Sequence, residues 1–237
     1  MTKIQNSVIL ITGADGGIGQ ALVKQCLLLG AKKIYATGLD LEVLTKLFGT
    51  TNSVIPIQLD VTNLQTITKC AEQCTDTNLL INNAGVEYKI PFLADNSSKA
   101  ALMEMKVNYI GLIDMINSFL PTLEKNDNSG IVNILSLGAL AIVKRLGTYC
   151  ASKSASHVLT ETIREELEVK NIKVMATYIG YVDTNMVPEE TATEKSSPEN
   201  IAIGICQGIN DNQNHIFPDN TTKEYIQTNP IKTIFFE

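Results

Sequence analysis

Short apolar runs alternate with longer amphipathic segments along most of the 237-residue chain. The first run, SVILIT at residues 7–12, is rich in β-branched residues and ends at glycines, which is typical of a buried parallel strand. The same criterion predicts further strands at 33–37, 54–58, 78–82, 130–136 and 172–178, and a brief edge strand at 215–217.

The segments between these strands place apolar residues at helical spacing, and helices are predicted at 17–30, 41–48, 63–74, 98–120 and 149–169. Parallel strands need long crossover connections, so the alternation predicts an α/β fold, a doubly wound parallel sheet with helices on both faces. No Pro-, Gly- or Ser-rich linker interrupts the pattern, and residues 1–237 are expected to form a single domain. The polar stretch at 185–198 is predicted to be a lid loop.

Composition narrows the class of partner. Hydrophobic residues make up 44% of the chain and charged residues 19%, which allows a substantial core. The formal net charge of −6 argues against nucleic acid or an anionic membrane as the main partner, because no basic stripe exists to neutralise phosphates. The longest mostly apolar run, residues 134–143, is too short to span a membrane, and no signal-peptide pattern is present. The chain is therefore expected to be cytoplasmic.

Cysteine and histidine usage gives no sign of a metal centre. The five cysteines are scattered and odd in number, and the only histidines are His157 and His215. No spacing typical of a zinc site occurs among them. Cys70 and Cys74 are one helical turn apart, but free thiols are the preferred interpretation.

The stretch TGADGGIG, residues 12–19, joins the first predicted strand to the first predicted helix. Its glycines Gly13, Gly17 and Gly19 leave room for a phosphate to approach the helix N-terminus, where free N–H groups and the helix dipole favour an anion. No Gly-Lys-Ser/Thr follows, so the stretch is not a Walker loop. An ordinary turn would also need glycines, but this position in an α/β chain favours nucleotide binding.

The end of the second strand, YATGLD, bears on the choice between NAD and NADP. A carboxylate here would accept a hydrogen bond from a ribose 2′-hydroxyl, whereas an arginine would pair with a 2′-phosphate. Asp40 lies one or two positions later than is ideal, after Gly38 and Leu39, and no basic residue occurs in the glycine turn. NAD is therefore preferred, with NADP as the alternative. Asp40 has an alternative role as the N-cap of the helix at 41–48.

Tyr149 and Lys153 are four residues apart on the predicted helix at 149–169, so both side chains would project from the same face. An ammonium group beside a phenol favours the phenolate and would lower the tyrosine pKa. The pair is either a surface accident or an acid–base device, and the helix alone does not decide between these two.

Six motifs occur in a fixed order, and through them nearly the whole chain resembles the short-chain dehydrogenase/reductase family. They are TGADGGIG at 12–19, LDVTN at 59–63, NNAG at 82–85, Asn108 in KVNYIG, Ser136 in VNILS and YCASK at 149–153. The resemblance implies a Rossmann-type fold and an NAD(P)-dependent oxidoreductase that interconverts an alcohol and a carbonyl compound by hydride transfer.

The resemblance also implies a role for each matching residue. Tyr149 would be the general acid/base and Ser136 a hydrogen-bond donor to the substrate oxygen. Lys153 would lower the tyrosine pKa and hold the nicotinamide ribose, and Asn108 would anchor a water that links Lys153 to solvent. The implied cofactor contacts are Gly13, Gly17, Ile18 and Gly19 at the pyrophosphate, Asp60 and Val61 at the adenine, Asn83, Ala84 and Gly85 at the adenosine ribose, and Gly180, Val182 and Thr184 at the nicotinamide.

Two departures from the family pattern occur near the carboxyl end. Ile179 stands where the family usually has a proline, so the turn before Gly180 is expected to be kept but less rigid. The glycine-rich segment that normally follows the seventh strand is absent after residue 217, which puts the family's tetramer contacts in doubt. A homodimer that packs the helices at 98–120 and 149–169 against their copies is expected instead.

The residues expected around the substrate are mainly apolar. The pocket is predicted to involve Ser136, Leu137, Tyr149 and Tyr181, which favours a lipophilic or medium-sized aldehyde, ketone or secondary alcohol. The competing hypothesis is an NAD(P)-binding regulator or scaffold of the same fold that does not catalyse a reaction. An intact set of Ser136, Tyr149 and Lys153 argues against that hypothesis, because such regulators usually lack part of the tyrosine–lysine pair.

Overall fold

The computed structural model of the protein describes residues 2–184 and 195–231. Most of the predicted lid at 185–198 and the last six residues of the chain therefore lie outside the described residues. Within the described residues, seven parallel strands form one sheet in the order β3-β2-β1-β4-β5-β6-β7. They are β1 (Val8–Ile11), β2 (Lys33–Gly38), β3 (Val54–Gln58), β4 (Leu79–Asn82), β5 (Gly130–Ser136), β6 (Lys173–Ile179) and β7 (His215–Ile216).

Helices cover both faces of this sheet, which confirms the predicted doubly wound α/β fold. They are α1 (Gly17–Leu28), α2 (Leu41–Phe48), α3 (Leu64–Gln73), α4 (Ser97–Met105), α5 (Gly111–Lys125), α6 (Gly147–Glu168), α7 (Pro198–Asn210) and α8 (Asn220–Thr228). A π-helical turn at Lys106–Ile110 joins α4 to α5, so the helix predicted at 98–120 is interrupted by that turn and ends at Lys125. Short 3₁₀ turns follow β5, at Leu137–Ala139 and Lys144–Leu146.

The alternation of side chains along the strands divides the core into two layers. In β1, Ile9 and Ile11 join the layer under α1 and α7, whereas Val8 and Leu10 join the layer under α3, α5 and α6. All four side chains are buried because helices cover both faces.

The sheet brings three functional segments together at one edge. The chain order reverses between β1 and β4, and the carboxyl ends of parallel strands around such a point form a crevice. The glycine turn follows β1, Asn83–Gly85 follows β4, and Ser136 ends β5. This topology places all three predicted motifs around the same crevice.

The described residues also bear on two of the compositional expectations. All five cysteines are free and buried. Within residues 2–184 and 195–231, no helix has the length and apolar character needed to cross a membrane, and no cluster of three or more His, Cys, Asp or Glu side chains could hold a metal ion.

Candidate active site

Three of the four glycines in the motif, Gly13, Gly17 and Gly19, lie in close contact with neighbouring atoms. Gly13 has a φ of 62°, and a Cβ built on it would lie 3.1 Å from the Cα of Ala84. A Cβ on Gly19 would lie 2.1 Å from the carbonyl oxygen of Gly13, and one on Gly17 would lie 2.9 Å from Cγ2 of Thr184. Larger residues would therefore push α1 away from the turn and fill the space at its N-terminus, where backbone N–H groups can bind an anion.

The turn is held to the end of β4 by a set of hydrogen bonds. Thr12 Oγ1 accepts bonds from the backbone N–H groups of Asn83 and Ala84, both at 2.9 Å. The Asn83 side chain donates in return to the carbonyl oxygens of Thr12 and Gly13, at 2.9 and 3.0 Å. Thr12 is thus a positioning residue that the sequence motif contained but the sequence analysis did not single out.

A large cleft opens between these segments, with a cavity volume of about 590 Å³, which is within the usual range for a small-molecule or cofactor site. Most of the predicted cofactor residues line it, namely Gly13, Gly17, Ile18, Gly19, Asp60, Val61, Asn83, Ala84, Gly85 and Thr184. The shape and the glycine turn fit an extended dinucleotide whose pyrophosphate lies at the N-terminus of α1.

Two predicted cofactor residues have other local roles. Asp40 is not among the residues that line the cleft, and its carboxylate accepts hydrogen bonds from the N–H groups of Glu42 and Val43, at 2.9 and 3.1 Å. The N-cap role is therefore the one found. The Val182 side chain is buried in the core under α1 and α7, so only its backbone is available to a ligand.

The segment after β6 is tied to the start of α7. Hydrogen bonds join the backbones of Tyr181 and Asp183 to Ser196, and α7 begins at Pro198, inside the predicted lid. Gly180 donates its N–H to a carboxylate oxygen of Asp219 at 3.0 Å. Asp219, which accepts this bond, also caps α8, and the contact was not expected from the sequence.

Tyr149 and Lys153 both lie on one buried face of α6, only 8% and 6% exposed. The Nζ atom of Lys153 lies 5.8 Å from the centre of the tyrosine ring and donates a hydrogen bond to the carbonyl oxygen of Ile134 at 3.0 Å. Ser136 lies at the end of the neighbouring strand β5. A Cβ on Gly138 would lie 3.4 Å from Ser136 Oγ and 3.7 Å from the Tyr149 ring, so glycine at 138 lets these two side chains converge.

The pKa values of the pair differ from the expectation. Burial raises the pKa of Tyr149, the negative charge of Glu87 raises it further, and a hydrogen bond with Ser136 acts in the opposite direction. Burial also lowers the pKa of Lys153 to about 8, against a smaller opposing effect of Glu87. In the protein alone the pKa of Tyr149 is therefore raised, whereas the sequence predicted a lowered value, because desolvation of the buried phenol is the largest effect.

Among the charged groups of the described residues, Glu87 affects the pKa of both members of this pair, and no role was expected for it from the sequence. Burial raises the pKa of the Glu87 carboxyl, which the nearby Lys89 partly offsets. Glu87 lies two residues after NNAG, where the sequence offers only a lone acid in a loop, so its position beside the tyrosine depends on the tertiary fold.

Asn108 lies in the π-helical turn between α4 and α5, a kind of irregularity that is frequent at functional sites. Its side-chain amide bonds both backbone groups of Val86 and donates to Ser152 Oγ, each at 2.9 Å. A Cβ on Gly85 would lie 3.3 Å from Asn108 Oδ1 and 3.5 Å from Lys153 Nζ, so these two groups are adjacent.

A small cavity of about 20 Å³ lies beside this pair, with room for one water molecule. It is lined by Asn82, Asn108 and Lys153 among others. The buried Oδ1 atom of Asn82 has no hydrogen-bond partner among the described residues, so a water here would have an acceptor to bond.

A family model for short chain dehydrogenases matches residues 7–195. The chain belongs to the short-chain dehydrogenase family. This confirms the family predicted from the six motifs, and the matched residues span the glycine turn, the Ser136–Tyr149–Lys153 set and the segment after β6.

Solved structures of similar short-chain dehydrogenases agree with this fold. One, from Burkholderia cenocepacia in complex with NADP, is 30% identical, covers 95% of this chain and 93% of that chain, and has a TM-score of 0.89. Another, from Burkholderia phymatum in complex with NAD, is 23% identical, covers 100% of both chains, and has a TM-score of 0.83. The predicted NAD(P) cofactor agrees with the NADP complex of the Burkholderia cenocepacia protein.

A curated relative extends the comparison to a named enzyme. Rat estradiol 17-beta-dehydrogenase 2 is 29% identical over an alignment of 240 positions that covers 96% of this chain. This short-chain dehydrogenase spans only 59% of the length of that relative.

Proposed function

We propose that this short-chain dehydrogenase is a single-domain, NAD-dependent oxidoreductase that interconverts an alcohol and a carbonyl compound, with Tyr149 as the general acid/base. The observation that carries the proposal is the convergence of Ser136, Tyr149 and Lys153 beside a cleft of dinucleotide size. A regulator that only binds the cofactor would not need a buried lysine and a buried tyrosine on the same helix face.

The chain's own groups suit proton transfer to and from a substrate oxygen. Because burial raises the pKa of Tyr149, its phenol is protonated at neutral pH and can donate to the developing alkoxide during carbonyl reduction. Ser136 Oγ accepts a hydrogen bond from the N–H of Gly138 at 3.1 Å, and its O–H, which bonds the Tyr149 hydroxyl in the protein alone, would donate to a substrate oxygen bound between the two side chains. A nicotinamide cofactor held by the glycine turn and the residues that line the cleft would supply or accept the hydride.

Lys153 and Asn108 would position the reacting groups and return protons from solvent. Lys153 is anchored on Ile134 O and keeps two further N–H donors for ribose hydroxyls or water. The small cavity beside Asn108 is large enough for a water that could pass a proton to the lysine.

The substrate proposed is a lipophilic ketone or secondary alcohol. The Tyr149 ring packs with Val143, Leu146 and Cys150, which gives the site an apolar wall. The name of the rat relative indicates a steroid alcohol as its substrate, and this supports an apolar substrate class here. Charged sugars as the preferred substrates would contradict the proposal.

The test is turnover with a panel of carbonyl compounds and alcohols, followed through the nicotinamide signal. We expect the wild type and Tyr35→Phe to turn over the same substrates. Tyr35 lies on β2 and donates its hydroxyl hydrogen to Asp76, away from the cleft. Tyr149→Phe should bind NADH but lose at least 100-fold in kcat, the usual size of a general acid/base contribution. Binding without any tyrosine-dependent turnover would favour the regulator.

We also propose a homodimer that buries the outer faces of α4, α5 and α6. Leu102 on α4, Ile110 in the π-helical turn and Val158 on α6 are 68%, 45% and 63% exposed, so a partner subunit could bury apolar side chains here. Sedimentation of Val158→Glu is expected to show a shift towards monomer, whereas exposed Ile203→Glu on α7 should leave the assembly unchanged. A wild-type monomer would contradict this.

A further inference from the structure

The carboxylate of Asp15, in the glycine turn, lies directly over Gly38, the last residue of β2. A Cβ built on Gly38 would lie 2.6 Å from Asp15 Oδ1, 2.7 Å from its Cγ and 2.9 Å from its Oδ2. These three atoms are the nearest neighbours of that position. The Asp15 carboxylate therefore occupies the space that a side chain at the end of β2 would otherwise fill.

The backbone on both sides of Asp15 is fixed. The N–H of Ala14 donates to the carbonyl oxygen of Thr37 at 2.8 Å, which joins the turn to β2. The side-chain amide of Gln20 donates to the carbonyl oxygen of Asp15, also at 2.8 Å. The position of the carboxylate over Gly38 thus follows from ties to β2 and to α1.

Asp15 and Gly38 both line the large cleft, on the side where β2 ends. Within residues 2–184 and 195–231, no hydrogen bond or ion pair to the Asp15 carboxylate is found, whereas the Asp40 carboxylate is engaged in capping α2. The described residues that line the cleft include no lysine or arginine that could pair with a phosphate.

We propose that Asp15 binds the adenosine ribose of the cofactor and makes this enzyme specific for NAD over NADP. This rests on the proposed function. A carboxylate only accepts hydrogen bonds, so it can bind the 2′-hydroxyl of NAD, whereas the charged 2′-phosphate of NADP would be repelled. The carboxylate expected from the end of β2 comes from the turn after β1, and Gly38 leaves space for it.

The experiment measures dissociation constants for NADH and NADPH by nicotinamide fluorescence in the full chain. The wild type is expected to bind NADH at least 10-fold more tightly than NADPH. Asp15→Ser should lower the affinity for NADH about 10-fold, the effect of losing a hydrogen bond to a charged group, and should raise the affinity for NADPH. Asp40→Ser is the matched control, because serine also caps helices, and it should leave the NADH/NADPH ratio unchanged.

A second variant keeps the test informative if Asp15→Ser alters the turn. The double change Asp15→Ser with Gly38→Asp moves the carboxylate onto β2 and is expected to restore the preference for NADH. A wild type that binds NADPH more tightly than NADH would overturn the assignment but not the proposed dehydrogenase activity. The same holds if Asp40→Ser changes the ratio of the two dissociation constants and Asp15→Ser does not. Failure of the wild type to bind either dinucleotide would overturn the proposed function itself.

Discussion

The carboxylate of Asp219 accepts a hydrogen bond from the backbone N–H of Gly180 at 3.0 Å, and its other oxygen accepts one from the N–H of Thr222 at 2.9 Å. One buried side chain, 5% exposed, thus caps α8 and holds the turn after β6. The family usually has a proline at the position of Ile179, and the sequence alone predicted a less rigid turn. The structure stabilises the turn from the C-terminal segment instead.

Removing this contact should weaken binding of the nicotinamide half of the cofactor selectively. Asp219→Ala is expected to lower NADH affinity about 10-fold, because the Gly180–Thr184 segment is no longer held, and to leave ADP-ribose affinity unchanged. Titration of both ligands measures this. Asp219→Asn keeps one acceptor and should recover part of the loss, and Asp211→Ala, an exposed aspartate after α7, serves as the control. Equal losses for NADH and ADP-ribose would contradict a local role.

The buried Lys153 is expected to lower the free energy of unfolding, although turnover depends on it. Because its folded pKa of about 8 is below its unfolded value, the unfolded state binds more protons between pH 8 and about 10, and stability should rise with pH in that window. Below pH 8 the buried, charged lysine lowers the free energy of unfolding by about 3 kcal/mol. Replacing it would also remove its hydrogen bond to Ile134 O, which is worth about 1 kcal/mol.

Lys153→Met is therefore expected to raise the free energy of unfolding at pH 7 by about 2 kcal/mol, while abolishing turnover. Urea unfolding at several pH values measures this, and Lys99→Met, at an exposed lysine of α4, is the control. The burial argument would be contradicted if Lys153→Met lowered the free energy of unfolding. It would also be contradicted if the rise in the free energy of unfolding between pH 8 and 10 persisted in Lys153→Met.

The pKa of Glu161 is also lowered in the folded protein, but here the charged form stabilises the fold. Burial opposes its ionisation, but His215, with Nε2 at 3.1 Å from Oε1, and Arg164 outweigh burial and lower the pKa of Glu161 to about 2. A depressed carboxyl pKa stabilises the fold above its unfolded value near 4.5, and this stability is lost as the pH falls towards 2.

Glu161→Gln should accordingly lose about 2–3 kcal/mol of unfolding free energy at pH 7 and almost none near pH 2. Unfolding curves at pH 7, 4 and 2, compared with those of exposed Glu165→Gln on the same helix, measure the difference. A constant loss across the whole range would show that packing, not charge, accounts for the effect.

The sequence was most informative where structure is local. The strands and the glycine turn were predicted correctly because short continuous apolar runs and close backbone contacts, such as Gly19 against Gly13, depend on neighbouring residues. Helices α7 and α8 were missed, although Ser197 with Pro198 and Asp219 are ordinary helix-start signals. Helix α7 follows the polar stretch that was predicted to be a loop, and α8 is short and mainly polar.

Features that depend on distant segments were not predictable in this way. The expectation for Tyr149 considered only the neighbouring cation, whereas its pKa is set mainly by burial under the surrounding loops. Likewise, Asp40 was chosen for its place in the sequence, but Asp15, 25 residues earlier, is the carboxylate that lies over the end of β2. Only the fold brings these groups together.

The central claim is that the cleft holds the dinucleotide with its reactive end at Tyr149. A crystal structure with NAD and a carbonyl or alcohol analogue tests it most directly through one distance. The account predicts the Tyr149 hydroxyl within about 3 Å of the analogue's oxygen, with the nicotinamide beside it and the adenosine ribose next to Asp15. A dinucleotide bound in the reverse orientation, or an analogue bound away from Tyr149, would contradict it.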